Sequence, residues 1–556
     1  MQSALQGLKN EVLDLTAPAP GRPLRIVLVG FYNYESHALR IFHALLRQRG
    51  HSVYSVFYKN YFVYQEPTEA EEEKVTDLIT RIQPDLVAMS VWSTYYQLAA
   101  RVTRRLKASC DPTVIWGGIH AQTCPEDCLA DADIVCRSEG EYVLAELTDR
   151  MSLGQDFTDL AGCWVRTDDG IVRNPPRLLI ANLDALPTPD FSSDNKYYLG
   201  TSQEWRDVAL WDSRMVMYEI MTLRGCAYEC TFCIHNFTRK ESEGLGSYIR
   251  RRSVDHVMRE LRLALRARPK LQTVFFQDDI FAPTAPWLEE FCERYPREIG
   301  LPFAIYAFPR MVNEKKISLL RKAGLWAAIM GIQSGSDRVR RDCYERETSN
   351  QSIIDACNVF ARQGVERVLD FISDNPYETD DDRFETVTLL ASLPRPFFFN
   401  YFSLTYFPKV DLTERALRDG FIRPEDVEHI AQKGYHVWGV ALDGVRTADQ
   451  LRWDIAYNMA CRGVPSRWIA SLLPSRFFND RIPMFAALTR RIQLAGRARH
   501  RLRNKLLGRP DLVDQYTQNA TRQIVPVEPI IQPNADHAPL RTAAKVIALS
   551  NAGLHA

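Results

Sequence analysis

Short apolar runs, each ended by glycine or a polar loop, alternate along this chain with longer stretches whose apolar residues recur every third or fourth position. Arg25-Ile26-Val27-Leu28-Val29-Gly30 is such a run and reads as a buried parallel strand. Residues His37 to Arg49 then carry helical spacing through Leu39, Phe42, Leu45 and Leu46, and Gly50 stops them. The alternation continues with a strand Ser52 to Tyr58, an acidic helix Glu69 to Gln83 and a strand Asp85 to Val91. A helix Tyr95 to Ala108 and a strand Thr113 to Trp116 follow. This rhythm predicts an α/β domain over residues 24–150, a doubly wound parallel sheet. Ligands of such sheets lie beyond the carboxyl ends of the strands, here in the loops Phe31–Ser36, Ser90–Tyr96 and Gly117–Gln122.

Residues 151–205 are rich in turn signals, such as Asp168-Asp169-Gly170 and Leu186-Pro187-Thr188-Pro189-Asp190, and read as a linker without chemistry of its own. A second alternating region covers 206–420. After a strand-like run from Met215 to Leu223, helices start near Val254, Trp287, Glu314, Asn350 and Asp382. Strands sit at Thr273–Gln277, Phe303–Ala307, Trp326–Ile332, Arg367–Ile372 and Phe398–Leu404. About six such units predict a partial (β/α)6 barrel with one open side, its active groups at the strand carboxyl ends. The run Phe397 to Phe402 should divide by alternation between the barrel interior and its helices. Residues 421–556 read as mainly helical, with Trp438, Trp453 and Trp468 as bulk and a partly disordered tail from Asp511.

Bulk composition narrows the class. The 556 residues carry 69 basic and 69 acidic side chains, so no net field points to nucleic acid. Twelve cysteines are too sparse for a secreted disulfide scaffold. The polar start, with Pro18, Pro20 and Pro23, lacks a signal-peptide core, and no stretch has the length of a membrane span. A cytoplasmic protein is expected.

The chemistry concentrates at Arg224-Gly225-Cys226-Ala227-Tyr228-Glu229-Cys230-Thr231-Phe232-Cys233. Three thiolates at this spacing suit a soft metal or an iron–sulfur centre. A cubane held only by thiolates needs a fourth, so another ligand comes from elsewhere or one iron stays open. Two plainer readings stand beside this: a zinc site borrowing His235, and three cysteines that merely fill core.

The C-x3-C-x2-C spacing, with an aromatic residue before its last cysteine, resembles the radical S-adenosylmethionine (SAM) enzymes. Gly117-Gly118-Ile119-His120-Ala121, Pro125-Glu126 and Ser138-Glu139-Gly140-Glu141 resemble the cobalamin-binding domain that precedes many of them. Three later phrases follow that family's order: Gln277-Asp278-Asp279, Gly331-Ile332-Gln333-Ser334-Gly335-Ser336 and Asp374-Asn375-Pro376-Tyr377-Glu378-Thr379. The resemblance covers Arg25 to Gly420. It implies a [4Fe-4S] cluster on Cys226, Cys230 and Cys233, with SAM on the open iron. It further implies cobalamin against Gly117, Gly118 and His120, and SAM contacts from Asp278, Gln333, Ser334 and Ser336. Relatives often carry Glu at Gln333, and Gly-Thr where Lys409-Val410 stands. Glu35-Ser36-His37-Ala38-Leu39-Arg40 departs from the cobalt-ligating Asp-x-His-x-x-Gly, so cobalt without a protein imidazole is expected.

What the resemblance implies is a cobalamin-dependent C-methyltransferase acting on an unactivated carbon of a hydrophobic or small metabolite. The alternatives are a radical oxidative cyclase on a tetrapyrrole or lipid, and a non-catalytic cobalamin or cluster sensor. An external electron donor such as flavodoxin or ferredoxin is the expected partner, with a small-molecule or lipid-like substrate and no nucleic acid. From Arg490 to Arg509 there are eight basic residues and no acid, beside a stripe of Leu488, Ile492, Ala495, Ala498, Leu502 and Leu506. That composition suits either peripheral contact with the inner face of a membrane or a solvated helix over the core.

Overall fold

The computed structural model describes residues 14–33, 36–59, 67–200, 205–207, 215–432 and 447–506. Glu35, Trp438 and the tail from Asp511 lie outside the described residues.

The first sheet is built on β1 (Arg25–Phe31), flanked by β2 (Ser52–Tyr58) and β3 (Leu86–Ser90), both parallel to it. β4 (Thr113–Gly117) and the short β5 (Ile134–Cys136) extend it beyond β3. Helices α1 (His37–Gln48), α2 (Glu69–Ile82) and α3 (Tyr96–Ser109) connect these strands. The short α4 (Ile119–Thr123) and α5 (Pro125–Leu129) follow β4, and α6 (Gly140–Leu153) follows β5. Alternate residues of β1 enter different cores: Ile26 and Leu28 one, Val27 and Val29 the other. A strand covered on both faces has no polar alternation to show, hence its continuous apolar run.

The region expected to be a linker does more than connect. It supplies β6 (Cys163–Thr167) and β7 (Gly170–Arg173) to one edge of this sheet, and β8 (Lys196–Leu199) and β9 (Trp205–Asp207) to the other. The nine strands run β7-β6-β5-β4-β3-β1-β2-β8-β9. Asp168 and Asp169 form the two-residue turn of the β6–β7 hairpin, in which Thr167 faces Gly170. These strands are short, and β7 is exposed along its length, so their patterns look like loop.

The second sheet holds six parallel strands in chain order: β10 (Met217–Ile220), β13 (Thr273–Phe276), β14 (Phe303–Ala307), β15 (Leu325–Gln333), β16 (Glu366–Ser373) and β17 (Phe398–Ser403). Between β10 and β13 lies a two-stranded ribbon, β11 (Leu223–Arg224) with β12 (Arg250–Arg251), separated by α7 (Ile234–Glu241). Outer helices α8 (Val254–Ala267), α9 (Ala285–Glu298), α10 (Glu314–Ala323), α11 (Asn350–Arg362) and α12 (Asp380–Ser392) complete the half-barrel. Its floor is apolar, with Met217, Phe275, Ala304, Ala327, Ile329 and Val368 packed beside Phe398. Phe399, the next residue, turns outward onto Phe371 and Tyr457. One continuous core joins the two sheets, running from Ile26 and Leu28 to Tyr218 and Ile220.

The C-terminal region is helical: α13 (Asp411–Arg418), α14 (Pro424–Gln432), α15 (Ala448–Cys461), α16 (Ser466–Leu472), α17 (Arg476–Asn479) and α18 (Ile482–Leu506). α18 rests on the protein through Thr489, Gln493, His500 and Asn504, with Gln493 Nε2 donating to Asn458 at 2.6 Å. Its apolar stripe faces outward; Leu488, Ile492, Leu502 and Leu506 are exposed, Leu506 to 77%.

Candidate cofactor site

Asp278 organises the approach to the three cysteines. It is fully buried just past β13, and burial raises its carboxyl pKa. One oxygen accepts from the Leu223 amide at 3.0 Å and from the Thr222 amide; the other accepts from Thr222 Oγ1 and, at 3.0 Å, from Arg251 Nη1. The expected SAM contact is thus spent inside the protein, fixing the turn between β10 and β11. Asp279 points elsewhere, onto His235 Nε2 at 2.8 Å.

Gly225 follows β11 with φ +87, and a Cβ there would lie 2.2 Å from the Tyr248 carbonyl oxygen. Only glycine fits this bend. Cys226 and Cys230 are buried and Cys233 partly so. Burial raises the thiol pKa of Cys226 and pushes Cys233 up to about 12, which favours thiolates only with a cation to compensate. Tyr228 stacks on Phe308 with centroids 3.8 Å apart, and Phe232 packs edge-on against Tyr344. Arg346 lies over Phe308, donates to the Gly331 carbonyl at 2.6 Å and places Nη1 3.5 Å from Cys230 Sγ.

A zinc ion on these cysteines would need His235 as its fourth ligand. His235 is engaged on both ring nitrogens, with Tyr248 at 2.7 Å and with Asp279. The donor set therefore fits an iron–sulfur cluster with three protein thiolates.

Across the strand ends, Gln333 adopts φ +73 at the irregular end of the β15–β16 pairing. Ser334 donates to Glu378 at 2.8 Å, and Ser336 donates to Asp382 at 2.6 Å. Gly335 lies so close to α12 that a Cβ would be 2.3 Å from the Thr386 Cα. The two serines thus hold the loop with their hydroxyls, leaving backbone for a ligand. Burial pushes the Glu378 carboxyl up to about 7, with Ser334 opposing. Neither Glu378 nor Arg346 was singled out from sequence; Glu378 lay in a recognised phrase, whereas Arg346 carried no local signal.

The first domain reaches the same region through Arg224. A cavity of about 240 Å³ lies between the sheet and helices α1 and α6. Its walls are largely apolar, including Leu28, Leu39, Ile115 and Val143, and Gly117 and Gly118 also line it. Gly118 has φ +95, and a Cβ there would come 2.7 Å from the Val91 carbonyl oxygen. His120 does not line this cavity; its ring stacks on Tyr96. His37 is tied to Glu260 on α8 at 2.7 Å, joining the two domains. Arg224, two residues before Cys226, lines the cavity beside Glu139 and Glu141.

A cofactor-domain cavity whose wall includes the lead-in to a three-cysteine barrel loop defines a B12-binding radical SAM architecture. Two family models agree: the B12 binding domain matches residues 26–148, and the radical SAM superfamily matches residues 220–390. The chain thus carries a radical SAM domain with a B12 binding domain ahead of it. It is 28% identical to an uncharacterized methyltransferase, PH0819, of Pyrococcus horikoshii over 57% of this chain and 66% of that protein. It is 24% identical to cytidylyl-2-hydroxyethylphosphonate methyltransferase of Streptomyces wedmorensis over 54% of this chain and 62% of that one. The chain thus matches under two thirds of the length of these relatives. Among solved structures, the radical SAM methyltransferase TsrM from Kitasatospora setae superposes with a TM-score of 0.56 at 18% identity, covering 71% of this chain and 76% of that one. The cobalamin-dependent radical enzyme OxsB superposes at 0.54 with 17% identity, covering 76% of this chain and 59% of that one. At such identities the likeness is one of fold.

Proposed function

We propose that the chain is a cobalamin-dependent radical SAM methyltransferase. The observation that carries this reading is Arg224, which belongs both to the cavity wall and to the strand leading into Cys226. Cys226, Cys230 and Cys233 would hold a [4Fe-4S] cluster, SAM would lie along Gln333 to Ser336, and cobalamin would enter the cavity past Gly117 and Gly118. Bound together, these groups supply a 5′-deoxyadenosyl radical and a transferable methyl group. The chain's own part is to hold them at fixed separation and keep water from the radical. His37 is committed to Glu260, which supports a cobalamin without a histidine below cobalt. The apolar cavity suits the aromatic base at the end of the cofactor's nucleotide tail.

Beneath the strand ends, the apolar floor is joined by a polar pair, Asn400 Nδ2 donating to Asp370 Oδ1 at 3.2 Å. This supports a small substrate that is largely hydrophobic with some polar character. The relatives' names favour methyl transfer over oxidative cyclisation, and the complete strand-end apparatus favours an enzyme over a sensor. A flavodoxin or ferredoxin would supply the electron. The outward stripe and basic residues of α18 support a peripheral membrane contact.

Product analysis tests the reading. Anaerobically reconstituted full-length protein, given SAM, reductant and candidate substrates, should release 5′-deoxyadenosine and S-adenosylhomocysteine in near-equal amounts. Deuterium from a labelled SAM methyl group should enter the product. Product formed with 5′-deoxyadenosine alone would assign a cyclase, and no SAM cleavage at all would leave a sensor.

A further inference from the structure

We propose that His120, Cys124 and Asp127 form a zinc site on the rim of the B12 binding domain, separate from the cysteines of the barrel. The imidazole, thiol and carboxylate each bring one ligand atom within 4.8 Å of the other two. His120 is the anchor. It is 2% exposed, its Nδ1 lies 3.1 Å from Ser93 Oγ, and its ring stacks on Tyr96 with centroids 4.4 Å apart. Its Nε2 is buried and has no hydrogen-bond partner. With Nδ1–H donating to the serine, Nε2 carries the lone pair, the tautomer in which a histidine binds metal. A buried nitrogen without a partner is unfavourable, and a metal bond would satisfy it.

The local fold explains how the three meet. α4 and α5 have five residues each and meet at Cys124, where φ is −133 and ψ is 59. That kink brings Asp127, from the start of α5, back toward His120 on α4. Helices this short gain little from their own hydrogen bonds, so a cross-link between them orders the segment. Mixed nitrogen, sulfur and oxygen donors select zinc over calcium or magnesium, which take oxygen alone. Zinc bonds of about 2.0–2.3 Å draw the ligand atoms closer than 4.8 Å, and Asp127, being exposed, is free to rotate inward. Three protein ligands leave a fourth position for water on that exposed side. Gln122, between the first two ligands, lines the cofactor cavity, so the ion would stiffen the cavity rim.

Metal analysis of the full-length, cluster-loaded protein tests this. After incubation with zinc ion and desalting, wild type should retain one zinc equivalent per chain with its iron content unchanged. Cys124→Ser should lose that zinc and keep its iron. Asp127→Asn, a change at an exposed position, should bind zinc about tenfold more weakly or worse. Wild type that takes up no zinc beyond its iron, or variants that both hold zinc as tightly as wild type, would overturn the site.

Discussion

Arg224 Nη1 donates to Glu139 Oε1 at 2.8 Å, and the same guanidinium donates to Glu141 on α6. Residues 85 apart in the chain thus join the strand before the cluster loop to the wall of the cofactor cavity. Burial works against the Glu139 carboxylate, yet Arg224 and Arg250 together hold its pKa below the usual carboxylate range. The contact is a charged pair largely removed from water, whose value lies in placement more than in stability.

Arg224→Ala should therefore be costly in a specific way. Glu139 retains Arg250 at 2.8 Å, but Glu141, only 3% exposed, would be left without its cation. A loss of about 3–5 kcal/mol in unfolding free energy is expected. The double variant Arg224→Ala/Glu141→Gln should recover much of it. Denaturant titration of the two variants checks this.

Gly225→Ala should block cluster assembly, because the added Cβ would meet the Tyr248 carbonyl oxygen at 2.2 Å in a loop that needs φ +87. Gly496→Ala is the contrast. Nothing lies within 4 Å of its Cβ position, and it sits inside α18, so a gain of about 0.5–1 kcal/mol is expected. Iron analysis and thermal unfolding separate the two outcomes.

Arg346→Gln should make a reconstituted cluster harder to reduce. It removes a cation with a nitrogen 3.5 Å from Cys230 Sγ, and hydrogen bonds and charge near the sulfurs raise the potential of such centres. A redox titration followed by electron paramagnetic resonance should show a shift to more negative potential. An unchanged midpoint would mean that this contact carries no electronic influence.

Two buried carboxyls predict a pH profile. Burial pushes Asp370 up to about 7 and Asp454 up to about 8, from an ordinary value of 3.8. Between the unfolded and folded values the folded state keeps protons that the unfolded chain releases. Their contribution is complete below the unfolded pKa, falls as pH rises through that window, and is level above it. Thermal unfolding should show stability declining toward neutrality, and Asp370→Asn with Asp454→Asn should flatten the decline.

For α18, the expected result is co-sedimentation with anionic vesicles at low salt and release at high salt. Replacing Leu488, Ile492 and Leu502 with Ser should abolish binding without loss of fold, since all three face outward. Wild type left in the supernatant at low salt would reject the membrane contact. No helix among the described residues is long and apolar enough to cross a membrane, so such a contact would be superficial.

The central strands were legible because burial on both faces writes itself as unbroken apolar runs, as in Ile26 to Val29. Edge strands write almost nothing: β7 is exposed throughout, and β9 has three residues. The cysteine loop announced itself through spacing, whereas Arg346 reaches Cys230 from 116 residues away, a proximity that only the tertiary fold creates. Side-chain direction also escaped the pattern. Asp278 looked like a strand-end ligand and turned inward to bind backbone, and His120 turned from the cavity toward Ser93. The stripe on α18 has the period of a buried face, yet its polar neighbours make the contact.

The Arg224 bridge also sets an order of manufacture. During synthesis the first domain emerges before the barrel, and domains generally fold as they appear. Glu139 and Glu141 should therefore be waiting when Arg224 leaves the ribosome, so the cluster loop would be shaped against a finished wall. Iron delivered to the nascent chain earlier would find three cysteines on a loose segment. A barrel expressed alone, from Met215 onward, should consequently take up iron poorly, and supplying the first domain as a separate chain should restore uptake.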